Sequence, residues 1–137
     1  MTFVLDSSVS LSWCFEDEFT DATDALMVRA SDTGAIVPVH WPLEVLNGLA
    51  MAGRRRRIDS TRQRGLIEFL HDLPIIIDPE TVNQVWTVTS QLAEQHRLTV
   101  YDAAYPELAL RRGLPLATLD HELRAAGDAI GVTLLGV

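Results

Sequence analysis

Five short apolar runs divide this chain of 137 residues, and helical patterns fill the spaces between them. The runs are Thr2 to Leu5, Ala35 to Val39, Ile75 to Ile77, a strand within Leu114 to Leu119, and Val132 to Leu135. Strands separated by helices need crossover connections, and these build a parallel sheet with helices on both faces. The expected fold class is therefore α/β: a single domain over 1-137, an α/β/α sandwich with a central parallel sheet.

The helices carry their own signals. Ser7 and Ser8 can cap a helix that includes Leu11, Trp13 and Phe15, and a second runs from about Asp21 to Ala30 with Gly34 beyond its end. Pro42 suits the first position of a helix whose apolar face is Leu43, Leu46, Leu49 and Ala50, ending at Gly53. Ser60 and Gln63 have capping-box spacing for a helix to about His71, and Asp78-Pro79 precedes one to about Arg97. Thr99 and Asp102 open a helix that closes at Gly113, and Asp120 opens the last.

In an open parallel sheet, ligands bind beyond the carboxyl ends of the strands. Asp6 ends the first strand, Glu44 lies in the first turn after the second, and Asp120 follows the strand at Leu116 to Thr118. Asp102 is also in the first turn of a helix. An acid there is ordinarily a cap, worth about 0.3–1 kcal/mol against the helix dipole. Asp78 before Pro79 is the example of a plain cap; Asp6 differs because Ser7 and Ser8 can cap in its place. Ser7, Asn47 and Thr118 are suited to orient these carboxylates or a bound water, or to be ordinary surface polar groups.

Carboxylates gathered together repel unless a cation neutralises them. An oxygen-only donor set, with no zinc spacing among His40, His71, His96 and His121, suits Mg2+ or Mn2+. Such a site fits phosphoryl chemistry. All eleven basic residues are arginines, so mechanisms that need a lysine are excluded, including haloacid-dehalogenase-like phosphatases and receiver domains. The formal net charge of −8 repels nucleic acid at long range, and Arg54, Arg55, Arg56 and Arg57 either contact RNA phosphates locally or form a solvated helix end. A single cysteine, Cys14, excludes an internal disulfide, and no run is long enough to span a membrane. The expectation is a soluble, cytoplasmic protein.

The stretches V-L-D-S-S (Val4 to Ser8), W-P-L-E-V (Trp41 to Val45), T-V-Y-D-A-A-Y (Thr99 to Tyr105) and G-L-P-L-A-T-L-D (Gly113 to Asp120), followed by L-R-A-A, resemble the PIN domain. They are most similar to VapC-type ribonucleases, the toxins of toxin–antitoxin pairs. The resemblance implies Mg2+- or Mn2+-dependent cleavage of RNA, a homodimer, and inhibition by an antitoxin protein. It also implies that Asp6 and Asp102 are the principal metal ligands. Glu44 and Asp120 match the other two acids, which bind metal directly or through water and help activate the attacking water.

Pro106 departs from the family pattern. It lacks the amide that would bond the Asp102 carbonyl, at about 3 kcal/mol in a helix interior, so a kink or irregular start is expected beside Asp102. Trp86 and Ala93 are expected in the core or a dimer contact, and Glu16 to Asp24 on a solvated face. The alternatives to a ribonuclease are a catalytically silent binding module on the same scaffold and a structure-specific DNA nuclease.

Overall fold

The computed structural model describes residues 2–137. Five strands, β1 (Val4–Leu5), β2 (Ala35–Val37), β3 (Ile75–Ile77), β4 (Leu116–Ala117) and β5 (Leu134–Leu135), form one sheet in the order β3-β2-β1-β4-β5. Every pairing is parallel, with Val4 opposite both Ile36 and Leu116. The helices are α1 (Ser7–Ser12), α2 (Asp21–Thr33), α3 (Trp41–Arg54), α4 (Ser60–Asp72), α5 (Thr81–Gln84), α6 (Ser90–His96), α7 (Val100–Arg112) and α8 (His121–Ala129). A π-helical turn, Val85–Thr89, joins α5 to α6. Right-handed crossovers put α1 to α4 on one face of the sheet and α5 to α8 on the other. The packing of α1 and α4 on α3, and of α6 and α8 on α7, agrees with that division.

The main core lies between the sheet and these layers and includes Phe3, Val4, Leu5, Leu49, Tyr105, Leu108 and Leu116. A smaller cluster of Leu92, Leu98, Ala103, Leu123 and Ala126 seals α6, α7 and α8 together. The two buried indoles have partners, Trp13 Nε1 donating to the Thr23 carbonyl at 2.8 Å and Trp41 Nε1 to Ser10 Oγ at 2.9 Å. At Gly34, φ is +77° and a Cβ would come within 2.6 Å of the Pro74 carbonyl oxygen, so only glycine lets α2 turn directly into β2.

Several local expectations are corrected. Helix α1 stops at Ser12, leaving Trp13 as its C-cap and Phe15 in extended backbone. The hydroxyls of Ser10 and Ser12 turn back onto the carbonyls of Asp6 and Val9, a competition that shortens helices. In α4 the cap is Asp59, one residue earlier than expected, accepting from the Arg62 amide at 2.7 Å. Pro42 is the second residue of α3, because Trp41 begins the helix and is anchored on Ser10. The buried face of α3 is Trp41, Val45, Leu49 and Ala52, and Leu43 and Leu46 are exposed.

Helix α7 passes through Pro106 without a break. The lost hydrogen bond is outweighed by burial of Tyr105, Leu108 and Ala109, where a large apolar side chain contributes about 1.5–3 kcal/mol. Trp86 is 85% exposed on the π-helical turn, so it is not a core residue. The Glu16–Glu18 segment, a 3-10 turn, is not simply solvated: Asp17 and Glu18 both accept from Arg57.

Candidate active site

The strand order reverses at β1, with β2 on one side and β4 on the other, and a parallel sheet opens a crevice at that switch point. Asp6 leaves the end of β1 and Asp120 follows β4, so the register Leu5 opposite Ala117 brings both acids to the crevice. Glu44 enters from the first turn of α3, and Asp102 from the first turn of α7, whose N-cap Thr99 accepts from the Asp102 amide at 3.1 Å.

Asp6 is 3% exposed and held by hydroxyls. Ser8 Oγ donates to its Oδ2 at 2.6 Å, Thr118 Oγ1 to the same oxygen at 2.8 Å, and Ser7 Oγ to Oδ1 at 3.4 Å. The serines therefore serve the carboxylate instead of capping α1, which has no side-chain cap. Thr118 Oγ1 also accepts from the Asp120 amide at 3.1 Å, and Ser8 Oγ from the Leu119 amide at 3.0 Å. These bonds lock the ends of β1 and β4 together. Asp120 caps α8 through Oδ1 alone, accepting from the amides of Glu122 and Leu123.

Two residues that the sequence reading did not single out hold Glu44. The Tyr105 hydroxyl donates to Glu44 Oε1, and His40 Nε2 lies 3.8 Å from the same oxygen while contacting the Tyr101 carbonyl at 2.9 Å. The signals were their spacings: Tyr105 is one turn beyond Asp102, and His40 is one turn before Glu44. Asn47, expected to orient Glu44, is exposed and makes no hydrogen bond to it among the described residues.

The electrostatics tie the four acids together. Burial raises Asp6 above the usual carboxylate range, and the Asp120 charge adds to it against the hydroxyls of Ser8 and Thr118. Burial also raises Glu44, helped by Asp6 and Asp102 and opposed by Tyr105 and His40. Asp102 is raised by burial, then by the charges of Asp6 and Asp120. The His40 charge offsets part of this at Glu44, while the charges acting on Asp6 and Asp102 are those of other acids, so a cation at the crevice would relieve their mutual repulsion. The hard oxygen donors fit a divalent ion of the Mg2+ kind. Among the described residues, however, no three acidic, histidine or cysteine side chains close on one point as a finished coordination sphere. The acids are spaced around the crevice.

Asp78 has a different part from the plain cap expected of it. It accepts from the Glu80 amide, but it is 1% exposed and receives Arg111 Nη2 at 2.6 Å and Thr81 Oγ1 at 2.9 Å. Arg111 also binds Glu107 at 2.8 Å, so this ion cluster pins the end of β3 to α7.

The arginine quartet divides. Arg57 is committed to Asp17 at 2.7 Å and Glu18 at 2.9 Å, and its guanidinium lies 3.9 Å from the centroid of the Phe15 ring. Arg54 contacts the Met51 sulfur, and Arg56 is exposed in a left-handed turn with φ of 56°. Arg55 is exposed and lines a groove that also contains Ser8 and Asp120.

Comparison with known proteins identifies the fold and the family. The chain is 27% identical over 123 residues to Ribonuclease VapC3 of Pyrobaculum aerophilum, covering 90% of this chain and 92% of that protein. Its fold is similar to the crystal structure of PAE2754 from Pyrobaculum aerophilum, with a TM-score of 0.70 and 22% identity over 98% of this chain and 89% of that one. It is also similar to VapBC2 from Rickettsia felis, solved bound to a DNA fragment from their promoter, with a TM-score of 0.66 and 16% identity over 100% of this chain and 99% of that one. Residues 3–129 match the PIN domain, and the chain belongs to that family.

Proposed function

We propose that this protein is a divalent-metal-dependent endoribonuclease of the VapC type, the toxin of a toxin–antitoxin pair working in the cytoplasm. The observation that supports the reading most is that Asp6, Glu44, Asp102 and Asp120 lie around the switch-point crevice near enough to act on one another by charge, in a chain whose residues 3–129 match the PIN domain. The likeness to Ribonuclease VapC3 supports RNA as the substrate.

Asp6 and Asp102 would hold the ion, Mg2+ or Mn2+, with Glu44 and Asp120 beside it. The ion supplies a nucleophile from water at neutral pH and neutralises charge on the phosphate. The chain's own residues prepare that site. Ser8 and Thr118 fix the Asp6 carboxylate in one orientation, with Ser7 a weaker third donor. Tyr105 holds Glu44 by one oxygen with His40 beside it, and the other oxygen would accept a proton from an attacking water. Pre-set geometry of this kind lowers the cost of reaching the transition state.

The partner of such a toxin is an antitoxin, in keeping with the VapBC2 assembly that shares this fold. A basic antitoxin side chain entering the crevice would pair with these carboxylates and block the ion. A complex with an open, metal-accessible crevice would refute that mode of inhibition. A homodimer that covers the exposed Trp86 is proposed, checked by sedimentation of the parent and Trp86→Glu.

The functional test offers matched RNA and DNA pools side by side in Mn2+, with and without chelator. Metal-dependent loss of RNA alone supports the reading. Cleavage of DNA alone assigns a DNA nuclease, and silence toward both with metal bound assigns a binding module.

A further inference from the structure

A groove of about 430 Å³ runs from the acidic crevice toward the end of α3. Its polar lining is Ser8 and Asp120 from the crevice, Arg55 and Arg57 after α3, and Glu18. The rest of the lining is apolar and includes Leu11, Met51 and Leu119. Gly48 sets its depth: a Cβ there would meet the Leu11 side chain at 2.6 Å, so glycine allows α1 and α3 to approach this closely.

The charges in the groove are unequal. Arg57 faces two carboxylates and covers Phe15, so its positive charge is spent within the protein. Arg124, near the same strand end, donates to the carbonyls of Thr118 and Leu135. Arg111 and Arg112 belong to the Asp78 cluster. Arg55 lines the groove and has no ion pair among the described residues. On a chain of net charge −8, an unpaired guanidinium beside an acidic crevice is where a polyanion gains attraction instead of repulsion. A single strand suits the shape: sugars and base faces lie on an apolar floor while the backbone meets a cation.

We infer that this groove is the track of the RNA strand, with Arg55 binding a phosphate that flanks the one presented at the acids. The inference rests on the ribonuclease reading and adds to it a direction of approach and a residue. It also separates Arg55 from its three neighbours, which the run of four arginines does not.

The test measures binding of a fluorescein-labelled, mixed-sequence single-stranded RNA by anisotropy in Mn2+. An Asp102→Asn background keeps the RNA intact. Arg55→Glu is compared with Arg54→Glu, which makes the same charge change on the adjacent residue outside the groove lining. Arg55→Glu should weaken binding at least tenfold, and Arg55→Gln should lower the slope of log K against log salt by about 0.7, the loss of one single-strand phosphate contact. Arg54→Glu should weaken it less than threefold. Equal effects at the two positions would overturn the track while leaving the ribonuclease reading intact. Failure of the parent to bind or cut any RNA would overturn both. Arg55→Glu that spares RNA binding but breaks a complex with an antitoxin would assign the groove to the protein partner instead.

Discussion

The hydroxyl of Tyr105 on α7 donates to Glu44 Oε1 on α3, joining the two helical layers across the carboxyl end of the sheet. Tyr105 is 0% exposed, and burial together with the charges of Asp6 and Glu44 keeps it protonated well above the ordinary phenol range. At neutral pH it is therefore a donor, and Glu44 is its acceptor.

Tyr105→Phe keeps the buried ring and removes that donor. The fold should lose about 1 kcal/mol, since water can reach the half-buried Glu44. Mn2+ affinity by calorimetry should fall severalfold. In a Glu44→Gln background the same substitution should change affinity little, because the partner is already altered. Fully additive effects would show that the hydroxyl does not act through Glu44.

Metal should stabilise the fold. An ion that binds only the native state at about 100 times its dissociation constant adds roughly 2.7 kcal/mol. Melting should rise with Mn2+ or Mg2+, and not with monovalent salt of matched ionic strength. Asp102→Asn should blunt the rise. An unchanged melting temperature in both metals would remove the metal site from the account.

The pH dependence has a sign that follows from Asp6. Its folded pKa is raised, chiefly by burial, so between the unfolded value near 3.8 and the folded value the native state binds more protons. In chelator, the parent should therefore lose stability relative to Asp6→Asn as pH rises from about 4 toward neutrality. A stability difference that does not vary with pH would contradict the raised value.

Asp78 carries the opposite sign. Burial alone would raise it, but the hydrogen bonds from Arg111, Thr81 and the Glu80 amide outweigh burial and lower it. Its contribution is present above the unfolded value near 3.8 and is lost as pH falls through the folded value. Asp78→Asn leaves Arg111 with Glu107 as its remaining close partner and should cost about 2–4 kcal/mol in denaturant unfolding. Cleavage per folded molecule should survive, which separates a structural acid from the four at the crevice.

Much of this was legible in the residues because each strand is a short apolar run that ends in a helix signal. The order of elements follows from that pattern, and so do the places of Asp6, Glu44 and Asp120 after strands; Asp102, which follows a helix, does not. What was hidden depends on tertiary choice. The face of α3 turns on which of two apolar stripes Trp41 anchors, and Leu43 loses to Val45. Ser7 and Ser8 have two kinds of partner within reach, free helix amides that would donate to them or the Asp6 carboxylate that accepts from them, and only the packing of β4, which brings Thr118 to the same carboxylate, shows which is used. Asp78 looks like any cap until α7 brings Arg111 to it from 33 residues away. Pro106 breaks a rule of helix interiors, but the burial of its neighbours in α7 overrides that rule.

The central claim is that these carboxylates hold the ion that cuts RNA. The most direct measurement is cleavage of a cellular RNA pool at fixed Mn2+ by the parent, Asp6→Asn and Asp102→Asn, with folding checked by circular dichroism. The account predicts cleavage by the parent that chelator abolishes, and at least a hundredfold loss in both variants, each still folded. Variants that cut as fast as the parent would contradict it.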